Sequence, residues 1–222
     1  HGDVVFWPLK SIVDYLDASG DLQLLDACAP YRDGEGGEEP ILRHIERAVE
    51  SIRERMLPGT HLVNYAGGDW DDTLQPARPE WKERLCSAWT DALAIQVISG
   101  LGTQLQKAGR SGAQELLAMA EEMRQDFTRY LVRDGVIAGF ILMEEDGQIQ
   151  YLLHPLDQMT GIQFRLLPLT RSIIAGIADE KLACENEKLI ERELTFPDRI
   201  RLMNRPATYN GGKSVYFQRA EQ

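Results

Sequence analysis

The amino-acid sequence predicts a mainly α-helical protein, built from paired helices with one inserted β-hairpin. Apolar residues recur at the three- and four-residue spacing of amphipathic helices through most of the chain. The pattern changes at 136–144 and 148–154, which are apolar, strand-like runs separated by the turn sequence Glu-Asp-Gly at 145–147. Helix pairs joined by loops are typical of a helical-hairpin toroid or a helix bundle.

Each helix is predicted from its own apolar stripe and from the residues that end or interrupt helices. The first carries Leu9, Ile12, Val13 and Leu16 on one face, and Gly20 supplies its C-terminal stop. A break at 109–112 separates the two longest helices, and the tail from 196 to 222 is irregular. The predicted helices span 6–18, 21–28, 40–56, 79–107, 113–133, 168–178 and 179–194, and the hairpin insertion occupies about 135–155.

Composition and charge narrow the classes of partner. The chain has 222 residues, 43% of them hydrophobic, and a formal net charge of −11. This charge repels phosphate backbones and anionic membrane surfaces, so neither nucleic acid nor a membrane is expected as a partner. No stretch approaches the roughly 20 apolar residues of a membrane span. The three cysteines lie far apart and form no CxxC pair, which argues against a metal site and favours a reducing, cytoplasmic location.

The loop YAGGDWDDTLQPA at 65–77 contains most of the candidate catalytic and binding side chains. Asp69, Asp71 and Asp72 crowd around Trp70. Crowded carboxylates raise one another's pKa, which keeps one of them protonated as a general acid. An indole offers a flat apolar platform with one donor, and sugar rings have apolar faces that suit it. Cleavage of a glycosidic bond needs an acid in such a pocket.

Two plainer interpretations of the same loop remain open. Clusters of Asp and Gly form ordinary surface turns and helix caps through side-chain to backbone hydrogen bonds. Acidic loops also hold calcium, but the ligand spacing of an EF-hand is absent here.

Three blocks in order resemble glycoside hydrolase family ninety-four, the inverting disaccharide and oligosaccharide phosphorylases. HGDVVFWPLKSIVDYLDASGD at the start resembles the family's aspartate-containing helix that ends in a TGD-type turn. The stretch at 68–73 resembles its G-D-W-N-D-G loop, and NRPATYNGGKSVYFQRAEQ at 204–222 resembles a later family segment. The resemblance therefore runs nearly from end to end.

The resemblance implies a fold, a reaction and a set of site residues. The chain would be part of an (α/α)6 barrel, and Asp72 would be the general acid. Trp70 would line the pocket of the transferred sugar, Asp3 would hold that sugar, and Asp69 and Gln218 are further candidate substrate contacts. Inorganic phosphate would be the co-substrate, with no cofactor, because this anion is itself a nucleophile and makes a second catalytic carboxylate unnecessary.

Departures from the family pattern qualify this assignment. Asp71 stands where many members have Asn, and Thr73 where they have Gly. These differences point to the β-1,2-oligoglucan phosphorylase branch. The family's phosphate-binding His and Thr lie downstream of the matched segment, and its N-terminal β-sandwich is not matched. We therefore expect residues 1–222 to be an incomplete catalytic domain that lacks the C-terminal barrel segment. Members of the family are often homodimers, so the resemblance also implies a homodimer.

Two rival functions stay open at this stage. One is a catalytically incomplete helical domain that binds oligosaccharide or packs on a partner. The other is a hydrolase on the same toroid, which needs a second carboxylate facing Asp72, from Glu144, Glu145 or Glu221.

Several remaining residues have a structural and a functional interpretation. Trp81 and Trp89 lie at helical spacing and are expected in the core, and Trp7 is expected to pack near the sugar site. Arg171 and Ser172 are predicted at a helix start, where they would form a cap or bind an anion.

Overall fold

The computed structural model describes residues 2–31, 37–71, 74–207 and 217–218, with residue 218 described by its backbone alone. Its described part is about half helical, as the apolar periodicity predicts, and it has more short strands between the helices than the one predicted hairpin. Within this part, no helix combines the length and the apolarity that a membrane crossing requires. The helices are α1 (Phe6–Ser19), α2 (Ile41–Glu54), α3 (Ala88–Lys107), α4 (Ala113–Asp126), α5 (Leu166–Ile174) and α6 (Glu180–Leu189).

The helix ends follow from local chemistry. Helix α1 stops at Gly20, whose φ of 68° lets its N–H bond the carbonyl of Leu16. Helix α6 begins at Asp179, whose side chain accepts the N–H of Leu182. The segment predicted as a short helix at 21–28 is instead a single 3₁₀ turn, Leu22–Asp26, because the chain becomes extended at Ala27 and Cys28–Pro30 pair with Glu38–Pro40.

The long helix predicted at 79–107 is wrong in its first part. A 3₁₀ turn, Pro79–Glu83, is followed by a short strand, and α3 begins only at Ala88. The apolar spacing of this segment reflects burial in a sheet rather than a helical face, a case of tertiary packing overriding local pattern. Ser87 then caps α3 by accepting the N–H of Thr90.

The β-structure is richer than the one hairpin predicted. The predicted hairpin is present, and a third strand from 85–87 joins it to form a three-stranded antiparallel sheet. Helix α4 ends at Asp126 instead of running to 133, because a π turn and a tight hairpin at Asp134-Gly135 follow. Both turn residues have positive φ, 52° and 76°, the geometry that an Asp-Gly pair favours. The strands are β1 (Cys28–Pro30), β2 (Glu38–Pro40), β3 (Gln75–Pro76), β4 (Leu85–Ser87), β5 (Val132–Arg133), β6 (Val136–Ile137), β7 (Phe140–Met143), β8 (Ile149–Leu152) and β9 (Phe217–Gln218).

The single strand predicted at 136–144 is divided between two sheets at Gly139. Strand β6 pairs with β5, and β7 pairs with β4 and β8. A Cβ on Gly139 would lie 2.6 Å from the Cβ of Leu153, so the backbone passes here at a distance that only glycine allows. The N–H of Gly139 bonds the carbonyl of Leu153 and its own carbonyl accepts from Ala88, which ties the sheet to the start of α3.

Two clusters of buried apolar side chains organise the molecule. The larger, which we call the helical core, forms around α3, which is flanked by α1, α4 and α5. The smaller, which we call the sheet cluster, joins β4, β7 and β8 to Tyr65 and Leu74 of the loop at 65–77. Its buried members are Tyr65, Leu74, Trp81, Leu85, Phe140, Leu142, Leu152, Leu153, Ile162 and Phe217. The predicted core positions of Trp81 and Trp89 are confirmed, since they are 7% and 6% exposed.

Candidate functional site

The acid loop comprises residues 65–77, of which 72 and 73 lie outside the described residues, and it is anchored at its base by the sheet. The N–H of Tyr65 bonds the carbonyl of Leu85 over 2.6 Å, which fixes the loop to β4. Gly68 has a φ of 126°, and a Cβ there would lie 2.4 Å from Nε2 of Gln75. The backbone conformation therefore requires glycine here, because a φ of 126° is strained for any residue with a Cβ.

The start of the chain docks against the same loop. The N–H of Gly2 bonds the carbonyl of Gly68 over 2.6 Å, and a Cβ on Gly2 would lie 2.5 Å from the carbonyl oxygen of Tyr65. This contact brings Asp3 beside the acid loop, from which it is separated by more than sixty residues in sequence. The fold thus brings the first sequence block against the second.

Asp69 is fully buried beneath the loop. Its Oδ1 accepts the N–H of Asp71 over 2.9 Å, and its Oδ2 receives the hydroxyls of Ser87 and Thr90 over 3.4 and 3.5 Å. Burial raises the pKa of Asp69 above its usual value, and the charge of Arg165 acts in the opposite direction. Asp69 therefore holds the loop in shape from below, and its predicted contact with substrate stays a prediction.

Asp71 is buried too and forms an ion pair with Arg165. The Nη2 atom of Arg165 lies 3.1 Å from Oδ2 of Asp71 and 3.9 Å from Oδ2 of Asp69. The guanidinium carbon lies 4.8 Å from the ring centroid of Phe140 on β7. The sequence reasoning did not single out Arg165, although a lone charge inside the apolar run QFRLLPL is a signal that could have marked it.

Three indoles form an aromatic group at the loop. Trp70 and Trp7 are 49% and 39% exposed, and the buried Trp89 lies between them. Its ring centroid is 5.8 Å from that of Trp70 and 6.1 Å from that of Trp7. Two exposed indoles on a buried support present flat apolar surface to solvent, which suits the faces of sugar rings.

Trp7 also fixes Asp3. Its Nε1 donates to Oδ2 of Asp3 over 2.8 Å, and the carboxylate is 2% exposed. The prediction gave Trp7 only a packing role. In the structure it also orients Asp3, the residue that is predicted to hold the sugar. The sugar-holding role of Asp3 itself stays a prediction.

The predicted position of Arg171 and Ser172 at a helix start is wrong. Helix α5 begins at Leu166, so both residues lie near its C-terminal end. The Ser172 hydroxyl is buried and donates to the carbonyl of Leu169, so it neither caps an N-terminus nor faces an anion. Arg171 is partly buried with its guanidinium carbon 5.8 Å from the Trp89 ring centroid, and burial lowers its pKa.

Of the predicted site residues, one lies outside the described residues and another is described by its backbone alone. Asp72, the predicted acid, lies outside the described residues, directly after Asp71. The backbone of Gln218 pairs with Gln75 in the antiparallel β3–β9 ladder, so the terminal strand runs beside the acid loop. The roles predicted for Asp72 and Gln218 stay predictions.

The carboxylates of the rival hydrolase mechanism have other neighbours. Glu144 and Glu145, at the end of β7, lie 3.6 and 3.4 Å from Nη1 of Arg84. Glu221 lies outside the described residues. Among the residues that are described, no group of three or more His, Cys, Asp or Glu side chains could hold a metal ion.

Comparison with known proteins identifies a relative over the full length of the chain. This chain is 42% identical over 228 aligned residues to the 1,2-beta-oligoglucan phosphorylase of Listeria innocua serovar 6a. The aligned region spans 20% of that protein's length. This similarity confirms the resemblance to phosphorylases that the sequence blocks indicate. No family model matches the chain.

Solved structures share the fold at low sequence identity. A family 78 rhamnosidase of Bacillus sp. GL1 superposes with a TM-score of 0.61 over 89% of this chain and 18% of its own, at 12% identity. A family 88 glycosyl hydrolase from Bacteroides vulgatus superposes with a TM-score of 0.50. The match covers 97% of this chain and 55% of the hydrolase chain, at 11% identity. At these identities the likeness concerns the fold alone.

Proposed function

We propose that this chain is the acid-bearing segment of an inverting phosphorylase of glycoside hydrolase family ninety-four. The enzyme would cleave a β-glucosidic bond of a di- or oligosaccharide with inorganic phosphate and release a sugar 1-phosphate. The observation that carries the proposal is the 42% identity to a 1,2-beta-oligoglucan phosphorylase, which extends over the whole chain and so includes the acid loop. The name of that relative favours β-1,2-linked glucans as substrate.

The architecture supports the proposal as part of a larger catalytic domain. We infer that α1 to α6 contribute to an (α/α)6 barrel, since α3 has α1, α4 and α5 around it and further helices would close a ring. The chain spans a fifth of its relative's length. We propose that the rest of the barrel and the phosphate-binding residues lie outside this chain. We propose a cytoplasmic, homodimeric enzyme that needs phosphate as co-substrate and no cofactor.

The proposed mechanism assigns a task to Asp72 and to each of the described site residues around it. Asp72 gives its proton to the oxygen of the leaving sugar while phosphate attacks the anomeric carbon from the opposite face. Trp70 and Trp7 hold sugar rings by their faces, and Asp3 receives hydroxyl donors. The buried Asp69 holds the loop from beneath, which limits the freedom of the acid in the transition state.

The test is the Asp72→Asn variant of the full-length protein. We expect sugar 1-phosphate release from β-linked gluco-oligosaccharides to fall by at least about 100-fold, because general acid catalysis contributes factors of that order. The matched control is Asp134→Asn, in the exposed β5–β6 turn, where Asn suits the positive φ and activity should be unchanged. Full turnover in Asp72→Asn would refute the assignment.

The alternative, a binding or scaffolding domain, rests on the two exposed indoles alone. It predicts calorimetric binding of β-glucans without any phosphate-dependent product from the full-length protein. Product formation that requires phosphate excludes it.

A further inference from the structure

The departure from the G-D-W-N-D-G pattern places an additional charge in a buried position. Asp71 stands where many family members have a neutral Asn, and it is 7% exposed. Asp69, two residues earlier, is fully buried. Two carboxylates this close and this far from water repel each other and lose hydration, so the arrangement requires compensation from nearby donors or cations.

Arg165 supplies such compensation from a distant part of the chain. Its side chain is 1% exposed, and one amino group, Nη2, lies 3.1 Å from Asp71 and 3.9 Å from Asp69. Arg165 is the N-cap residue of α5, so its backbone is set by the helix. The ring of Phe140 lies 4.8 Å from the guanidinium carbon and restricts its plane. The cation is thus held on a rigid part of the fold, not on the loop.

We propose that Arg165 is the positioning residue of the acid loop, and that Arg165 and Asp71 together replace the neutral Asn of the common family pattern. This inference rests on the proposed function, because it concerns the loop that carries the proposed acid. Arg165 does not touch the reacting atoms in this role. It acts through Asp71.

The geometry explains how the pair determines the position of the acid. Asp71 is held at its side chain by Arg165 and at its N–H by Asp69. Asp72 follows by one peptide bond, so fixing Asp71 limits where the acid's backbone begins. Small displacements of a catalytic group cost rate more than they cost binding, because the alignment matters most in the transition state.

The experiment is a double-mutant cycle in the full-length protein. Its variants are Arg165→Gln, Asp71→Asn and the two combined, measured by kcat and by KM for oligosaccharide and for phosphate. We expect Arg165→Gln to lower kcat by about 10- to 100-fold with both KM values within about twofold. Asp71→Asn alone should stay within about threefold of the parent, because Asn still accepts from Arg165. The double variant should recover at least about fivefold of the lost kcat, since it removes the uncompensated charge.

Further variants separate positioning from folding. Arg165→Lys keeps the positive charge but loses the planar guanidinium group, so kcat should fall by only about 3- to 10-fold. This variant keeps the test valid if Arg165→Gln does not fold. The control cycle uses Arg53→Gln and Glu115→Gln, an exposed pair 2.7 Å apart between α2 and α4, which should leave kcat unchanged.

The outcomes distinguish this inference from the proposed function. Wild-type kcat in Arg165→Gln, or in Arg165→Lys if only that variant folds, together with an inactive Asp72→Asn, overturns the positioning role and leaves the phosphorylase assignment standing. A low kcat in Arg165→Gln that Asp71→Asn does not improve also overturns it, because the effect would then not pass through Asp71. An active Asp72→Asn variant removes the premise of both.

Discussion

Asp91 is a buried carboxyl group away from the acid loop, in the first turn of α3. Its Oδ2 accepts the thiol of Cys86 over 2.7 Å and its Oδ1 accepts the N–H of Val63 over 2.9 Å. Burial outweighs these hydrogen bonds and the charge of Arg55, and it raises the pKa of Asp91 from 3.8 to about 7. The carboxyl group is therefore protonated in the folded protein over a range in which the unfolded chain has lost the proton.

This difference in pKa makes the free energy of unfolding depend on pH. Between pH 4 and 7 the folded state binds more protons at Asp91 than the unfolded state does, so stability falls as pH rises and levels off above 7. The loss should be on the order of 2–4 kcal/mol, since one pKa unit corresponds to about 1.4 kcal/mol. Asp91→Asn should remove this component. The check is chemical denaturation of both proteins at pH 4, 5, 6, 7 and 8, and two parallel curves would contradict the prediction.

At the scale of elements, the contact between α3 and α4 depends on a glycine. A Cβ on Gly102 would lie 2.9 Å from Cγ of Leu117 and 3.1 Å from its backbone nitrogen. The two helices therefore approach each other at a distance that leaves no room for a methyl group. Gly in a helix interior is otherwise unfavourable by roughly 1 kcal/mol relative to Ala, so packing is the reason for its presence here.

We expect Gly102→Ala to lower the free energy of unfolding by about 1–2 kcal/mol. The overpacking cost of about 1–3 kcal/mol exceeds the gain in helix propensity. Adding Leu117→Ala should make the substitution at 102 less harmful, because the nearest side-chain atoms are then gone. Thermal or urea unfolding of the four proteins of this cycle measures both effects. A stabilised Gly102→Ala variant would show that the helices separate without cost.

The same elements show what sequence reasoning can and cannot find. Amphipathic period and a glycine stop predict α1 well, because both signals are local. Strand β4 was missed, since its apolar residues are buried by a sheet partner more than fifty residues away. In the site, the indoles and carboxylates of the loop were recognisable by type. Arg165 was recognisable only as a lone charge in an apolar run, because its contact with Asp71 spans 94 positions and no local pattern encodes that partner.

At the scale of the whole molecule, the two apolar clusters have different tasks. The helical core packs the helices together, whereas the sheet cluster lies under the acid loop and includes Tyr65 and Leu74 from that loop. Phe140 links this cluster to the site. Its ring is 5.0 Å from that of Tyr65, 4.9 Å from that of Phe217 and 4.8 Å from the guanidinium carbon of Arg165. Packing energy in the sheet cluster is therefore coupled to the shape of the loop.

This division of tasks predicts that equal losses of packing have unequal effects on catalysis. Phe140→Leu replaces a fully buried ring of the sheet cluster with a smaller side chain, and Phe127→Leu does the same in the helical core. Each variant should lower the free energy of unfolding by about 1–2 kcal/mol. In the full-length protein, Phe140→Leu should also lower kcat by about 3- to 10-fold, because Tyr65 and Arg165 lose a neighbour that restricts them. Phe127→Leu should leave kcat within twofold, where about twofold is the ordinary scatter of such comparisons. Measuring unfolding and turnover on the same preparations decides the matter. If both variants lose stability and both keep their kcat, the loop is held by its own hydrogen bonds and the sheet cluster contributes stability alone.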